Sequence, residues 1–96
     1  MTVSEILEAK REDILFLASR HGAKNIRVFG SAARGEAGPE SDVDFLVQME
    51  DGRSLLDFSS LVIALQDLLG RKVDVVSEDG LYWLLRRKIL KEARPI

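Results

Sequence analysis

Two short apolar runs, "DVDFLVQM" at positions 42–49 and "KVDVVS" at 72–77, both carry aspartate near their start, and a helix-period segment of about four turns separates them. A link of that length and content is the usual right-handed crossover between parallel strands. Parallel strands begin at the same end of a sheet, so Asp42, Asp44 and Asp74 are expected to open onto one edge. Strand side chains alternate with period two, which turns Asp42 and Asp44 to one face and Val43 and Phe45 to the other.

The remaining elements fit around that unit. Thr2 and Glu5 have capping-box spacing, and Ile6, Leu7, Ile14, Leu17 and Ala18 recur at helical intervals as far as Gly22, which predicts one amphipathic helix closed by glycine, with His21 as its cap or a surface residue. "NIRVFG" reads as a strand ending in a Gly-Ser turn, and "EAGPES" as a loop. If that strand runs antiparallel to its successor, Gly30 and Ser31 reach the same edge as the aspartates. Ser54 with Asp57 caps the crossover helix, in which Leu55, Phe58, Leu61, Val62, Leu65 and Leu69 keep the 3.6 period up to Gly70. A last helix is expected from near Asp79 through "LYWLLRRKILKEA". The order is α-β-(short α)-β-α-β-α: an α/β fold with a small mixed sheet flanked by helices, in a single domain over residues 1–96.

Composition limits the chemistry. With 96 residues and 46% apolar content, the chain has room for a core and little for a separate acceptor-binding module. It has no cysteine, which removes disulfides and thiolate sites, and one histidine, His21, which argues against a histidine-centred triad or zinc site. No apolar run is long enough to span a bilayer, and the amphipathic, acidic N-terminus is unlike a signal peptide, so a cytoplasmic protein is expected. A net charge of −2 gives no general pull toward nucleic acid.

Carboxylates must therefore carry the polar chemistry. Like charges this close repel or hold a proton unless a cation lies between them, and hard oxygen donors favour magnesium or manganese. Two such ions about 3.5 to 4 Å apart clamp the attacking and leaving oxygens of a displacement at phosphorus. The Gly30-Ser31 turn lets backbone amides approach a triphosphate. Arg34 can reach the same phosphates with its planar fork, or pair with Glu36 or Glu40 on the surface.

Each element alone has a plainer reading. Gly-Ser after a strand is usually a turn, and an isolated Asp-x-Asp usually a solvated loop edge. Their order on successive elements is what favours a site. Asp74, flanked by valines, is expected to be costly unless it holds a ligand. The run Arg86, Arg87, Lys88 reads as a solvated helix face or a surface for an acidic partner. Leu81, Tyr82, Trp83, Leu84 and Leu85 are more apolar surface than one helix face can bury, so part is expected to be core and part interface.

Taken together, "GSAARGEAGPESDVDFLV" and "VDVV" resemble the minimal nucleotidyltransferase (MNT) domain of the DNA polymerase beta-like superfamily, and the likeness covers nearly the whole chain. The resemblance implies the palm-like nucleotidyltransferase fold. It implies phosphate binding by Gly30 and Ser31, coordination of two magnesium ions by Asp42 and Asp44, and a third acidic residue, Asp74, that completes the site and helps activate the attacking hydroxyl. Arg34 and Ser41 also match recurrent positions. MNT proteins are often antitoxins paired with a helical HEPN-type ribonuclease toxin. The resemblance therefore implies AMP transfer from ATP, or NMP from another NTP, to a hydroxyl on that partner, with an RNA hydroxyl as the other acceptor. Two alternatives belong beside it: an antitoxin that acts only by occluding its partner, and a regulatory module that binds triphosphate without transfer.

Overall fold

The computed structural model describes residues 2–38 and 41–96. It contains α1 (Val3–Ala9), α2 (Arg11–Arg20), β1 (Ala23–Phe29), α3 (Ser31–Arg34), β2 (Val43–Met49), α4 (Leu55–Leu69), β3 (Val73–Ser77), a 3-10 turn (Glu78–Gly80), α5 (Trp83–Glu92) and β4 (Arg94–Pro95). Pro39 and Glu40, which fall in the segment read from sequence as a loop, lie outside the described residues.

The first helix departs from the sequence reading. The Thr2–Glu5 capping box forms, but Lys10 leaves helical geometry at φ −106° and ψ 12° and splits the segment into α1 and α2. Periodicity runs straight through this break because Leu7 and Ile14, seven residues apart, return to the same side and are both buried. No glycine or proline marks it. His21 does cap α2, ahead of Gly22 at φ +78°.

The four strands form one sheet in the order β3-β2-β1-β4, with β1 antiparallel to β2 and β2 parallel to β3. The crossover helix begins with a capping box from Ser54 and Asp57 and ends on Gly70 in the left-handed conformation. Leu61, Leu65 and Leu69 are buried against the sheet, whereas Leu55, assigned to the periodic face, is 79% exposed in the first turn. On one face of β2, Val43, Phe45 and Val47 join Ile14, Ala18, Leu61 and Leu65 in the core. Fully burying each such side chain contributes on the order of 1.5–3 kcal/mol. This helix-covered face fixes the register, because a slip of one residue would carry Asp44 into the core.

The C-terminal region also differs from expectation. The last helix starts at Trp83, after the 3-10 turn and two extended residues, Leu81 and Tyr82. Glu78 in that turn is buried and accepts from the Arg27 guanidinium at 2.6 Å and from Arg86 at 3.5 Å, tying β1 and α5 to the end of β3. None of α5 is buried: Tyr82, Trp83, Leu84 and Leu85 are all more than half exposed, so these four stand as surface. Arg94 and Pro95 then add a short edge strand to β1, which the sequence reading did not anticipate.

Candidate active site

The sheet register brings the acidic residues together. Phe29, the last residue of β1, pairs with Asp44, and Asp44 pairs with Asp74 on the other side. Gly30 and Ser31 follow Phe29 directly, so the turn and the two carboxylates share one end of the sheet. Asp44 and Asp74 project to the face opposite the helix-covered core. Asp74 is exposed there, which corrects the expectation of a costly buried charge: β3 is an edge strand.

Gly30 is fitted to Asp44. Its φ of +69° and ψ of −149° belong to a region that only glycine adopts readily. A Cβ at this position would fall well inside 3.0 Å of Asp44 Oδ2. The backbone of the turn thus passes directly against the carboxylate. Ser31 opens α3 and is half-buried.

Burial raises the Asp44 carboxyl above the ordinary aspartate range, and the charge of Asp74, a hydrogen bond with Asp74, and the charges of Asp42 and Glu92 raise it further. Asp44 and Asp74 thus behave as a like-charged pair that favours a shared proton or an intervening cation. Asp42 stands just before β2 with its carboxylate 3.7 Å from Lys72 Nζ; both side chains are substantially exposed. Ser41 accepts a hydrogen bond at its hydroxyl from the Gly38 N–H at 2.8 Å, and at its carbonyl from Arg71 at 3.4 Å. Its side chain thus ties Gly38 to the residue just before Asp42.

Arg34 points its guanidinium at two carboxylates. Nε donates to Glu36 at 2.8 Å, and Nη1 donates to Glu92. Pairing with Glu36 bears out one surface alternative; Glu40, the other, lies outside the described residues. Glu92 was missed from sequence, although a signal exists. It ends α5, where the helix dipole disfavours a carboxylate, so it calls for a nearby cation.

The donor chemistry fits divalent magnesium or manganese: the set is all oxygen, and burial together with the neighbouring carboxylates Asp74, Asp42 and Glu92 raises the Asp44 carboxyl. Among the described residues, no three acidic or histidine groups already stand at ligand spacing. Asp42 would have to leave Lys72, and an exposed pair of that kind contributes only about 0–1 kcal/mol. A cavity of about 500 Å³, lined by Leu7, Arg11, Val28, Arg34, Arg94 and Ile96 among others, includes Arg34 and none of the aspartates. The cavity offers no acid pair, whereas the carboxylate edge does.

Comparison with known proteins agrees with this architecture. The nucleotidyltransferase domain family matches residues 10–96. The chain is 41% identical over 90 residues to the protein adenylyltransferase MntA of Thermococcus cleftensis, covering 94% of this chain and 88% of that protein. It superposes with a TM-score of 0.87 on a solved structure provisionally named a minimal nucleotidyltransferase, at 55% identity, covering 96% of this chain and 94% of the other. A likeness in fold alone extends to the crystal structure of a toxin-antitoxin with AMP-PNP, with a TM-score of 0.75 at 22% identity, covering 86% of this chain and 68% of that one. The chain belongs to the nucleotidyltransferase domain family. Its fold is that of the minimal nucleotidyltransferases, and it is an enzyme of the nucleotidyl-transfer class. Among the described residues, no helix is long and apolar enough to cross a membrane.

Proposed function

We propose that this chain, acting as one domain over residues 1–96, is a protein adenylyltransferase that moves AMP from ATP to a hydroxyl of a helical, HEPN-type toxin for which it is the antitoxin. The observation that carries the reading is the Asp44–Asp74 rung beside the Gly30–Ser31 turn. The partner assignment draws on the MntA relative and on the toxin-antitoxin likeness.

In this reading the amides of the Gly30–Ser31 turn hold the triphosphate. Asp42, Asp44 and Asp74 would hold two magnesium or manganese ions, which would neutralise the phosphate charge. Asp74 accepts the proton of the acceptor hydroxyl as its oxygen attacks the α-phosphorus. The new O–P bond forms as the bond between the α- and β-phosphates breaks, and pyrophosphate leaves. Positioning of the acceptor can account for roughly 7 to 11 kcal/mol of such a barrier. The described residues form no separate acceptor module, and the exposed face from Tyr82 to Leu85 is the surface available to a partner that brings its own hydroxyl.

The test is incubation of the chain and its partner with ATP labelled at either the α- or the γ-phosphorus. Label entering protein from the α-position alone supports adenylyl transfer. Label from the γ-position would replace it with phosphoryl transfer, and none from either, with tight triphosphate binding, would favour a regulatory or occluding module.

A further inference from the structure

The Arg34–Glu92 contact is unexplained by the aspartate chemistry. Arg34 sits in the last turn of α3, three residues after the serine of the phosphate-binding turn. Glu92 comes from the far end of the chain, at the close of α5, and only 17% of its side chain is exposed. The contact joins residues 58 apart, so it is a product of the fold and not of local sequence. With Glu36 on Nε and Glu92 on Nη1, two of the three guanidinium nitrogens face carboxylates.

We propose that Glu92 is a positioning residue that gates Arg34: its carboxylate occupies the guanidinium until an incoming triphosphate displaces it. The inference rests on the triphosphate-site reading above. The physical basis is competition for one donor. Arg presents a planar fork that suits carboxylate and phosphate equally, and a bidentate phosphate needs two neighbouring N–H groups, so the Nη1–Nη2 edge is complete for phosphate only when Glu92 gives up Nη1. Displacing Glu36 costs little, since its side chain is 65% exposed and water replaces the lost bond. Glu92 is the more sheltered partner, and its release leaves a carboxylate near the charge of the incoming phosphates. It therefore sets the larger part of the penalty.

The experiment measures the affinity of the purified chain for the magnesium complex of the α,β-methylene analogue of ATP, whose α–β link cannot be cleaved by transfer. Glu92→Gln, which keeps shape and removes charge, is expected to tighten binding by about tenfold, the size of one charge-assisted hydrogen bond. Glu36→Gln should change it by about threefold or less. The gain from Glu92→Gln should vanish in an Arg34→Ala background, which distinguishes gating of Arg34 from general relief of negative charge. Unchanged or weaker binding by a folded Glu92→Gln variant, checked by its circular dichroism, would overturn the gate, as would a tenfold gain that persists without Arg34. If Glu92→Gln does not fold, Glu92→Asp serves in its place: with the carboxylate withdrawn by one methylene, tightening is expected, and none overturns the gate. Failure of the wild-type chain to bind the analogue at all would instead sink the triphosphate-site reading, and the gate with it.

Discussion

Asp44 and Asp74 occupy the same rung of the parallel ladder between β2 and β3, and Gly30 packs its backbone against the first of them. Three segments that are distant in sequence are thus fixed by backbone pairing, before any ligand contributes. Asp44→Asn or Asp74→Asn keeps the shape and removes a charge. Nucleotide transfer should fall by about 10²-fold or more, since charge neutralisation at the phosphates accounts for several kcal/mol of the barrier. Retention of full transfer by Asp44→Asn would rule out the carboxylate mechanism.

The same substitution has a pH signature. The folded-state Asp44 carboxyl titrates above its unfolded value, so between those two values the native state holds more protons and stability falls as pH rises. Asp44→Asn removes that penalty. Its melting temperature should match or exceed the wild type's at neutral pH, and the advantage should fade as pH falls into the ordinary aspartate range. An advantage that instead grew on acidification would show that Asp44 is stabilised, not strained, by its neighbours.

Gly30→Ala tests the close approach. The backbone geometry alone should cost about 1–3 kcal/mol, and the added methyl must also push Asp44 aside. Thermal unfolding should register the first effect, and loss of metal-dependent triphosphate binding the second. A variant as stable and as competent as the wild type would mean that the turn relaxes freely.

Metal removal should separate binding from folding. No described metal-ligand cluster holds the core together, whereas the aspartates that would take ions lie at the sheet edge. A strong chelator is therefore expected to abolish triphosphate binding and leave the melting curve nearly unchanged. Tight binding in chelator, with no gain on adding magnesium, contradicts this.

The exposed start of α5 gives a partner-surface prediction. Trp83 is 69% exposed and Leu84 56%, and Tyr82 packs beside Trp83 with ring centroids 5.9 Å apart. Replacing Trp83 and Leu84 by serine should weaken the complex by about 2 kcal/mol or more if they anchor it, while stability shifts by only about 0.5 kcal/mol. Charge reversal belongs at Arg87, because Arg86 also serves buried Glu78 and its loss would disturb the fold. Equal partner affinity in wild type and the double serine variant would move the interface elsewhere.

The placement of the candidate site residues was legible where it depends on sheet topology. Alternation within "DVDFLVQM", a helical link and "KVDVVS" together point to a parallel pair that brings the aspartates to one edge, and the register of that pair sets Asp44 opposite Asp74. Less legible was anything set by single dihedrals or by distant contacts. The break at Lys10 leaves the apolar period intact, and the edge strand at Arg94–Pro95 is too short to show alternation. Asp74 was read as buried from its valine neighbours, but burial depends on what covers a face, and nothing in a strand's own sequence states that. Glu92 reaches Arg34 only because α5 folds back, and the one local hint was a carboxylate at the unfavourable end of a helix.

The most direct test of adenylyl transfer is the intact mass of each protein in the complex recovered with the tagged chain from its native cells, after incubation with magnesium and ATP. The partner should gain the mass of one or more adenylyl groups, and the gain should be absent with Asp44→Asn. No added mass on any protein, with ATP instead consumed to adenylate a free small molecule, would contradict the account and place the acceptor site within this chain.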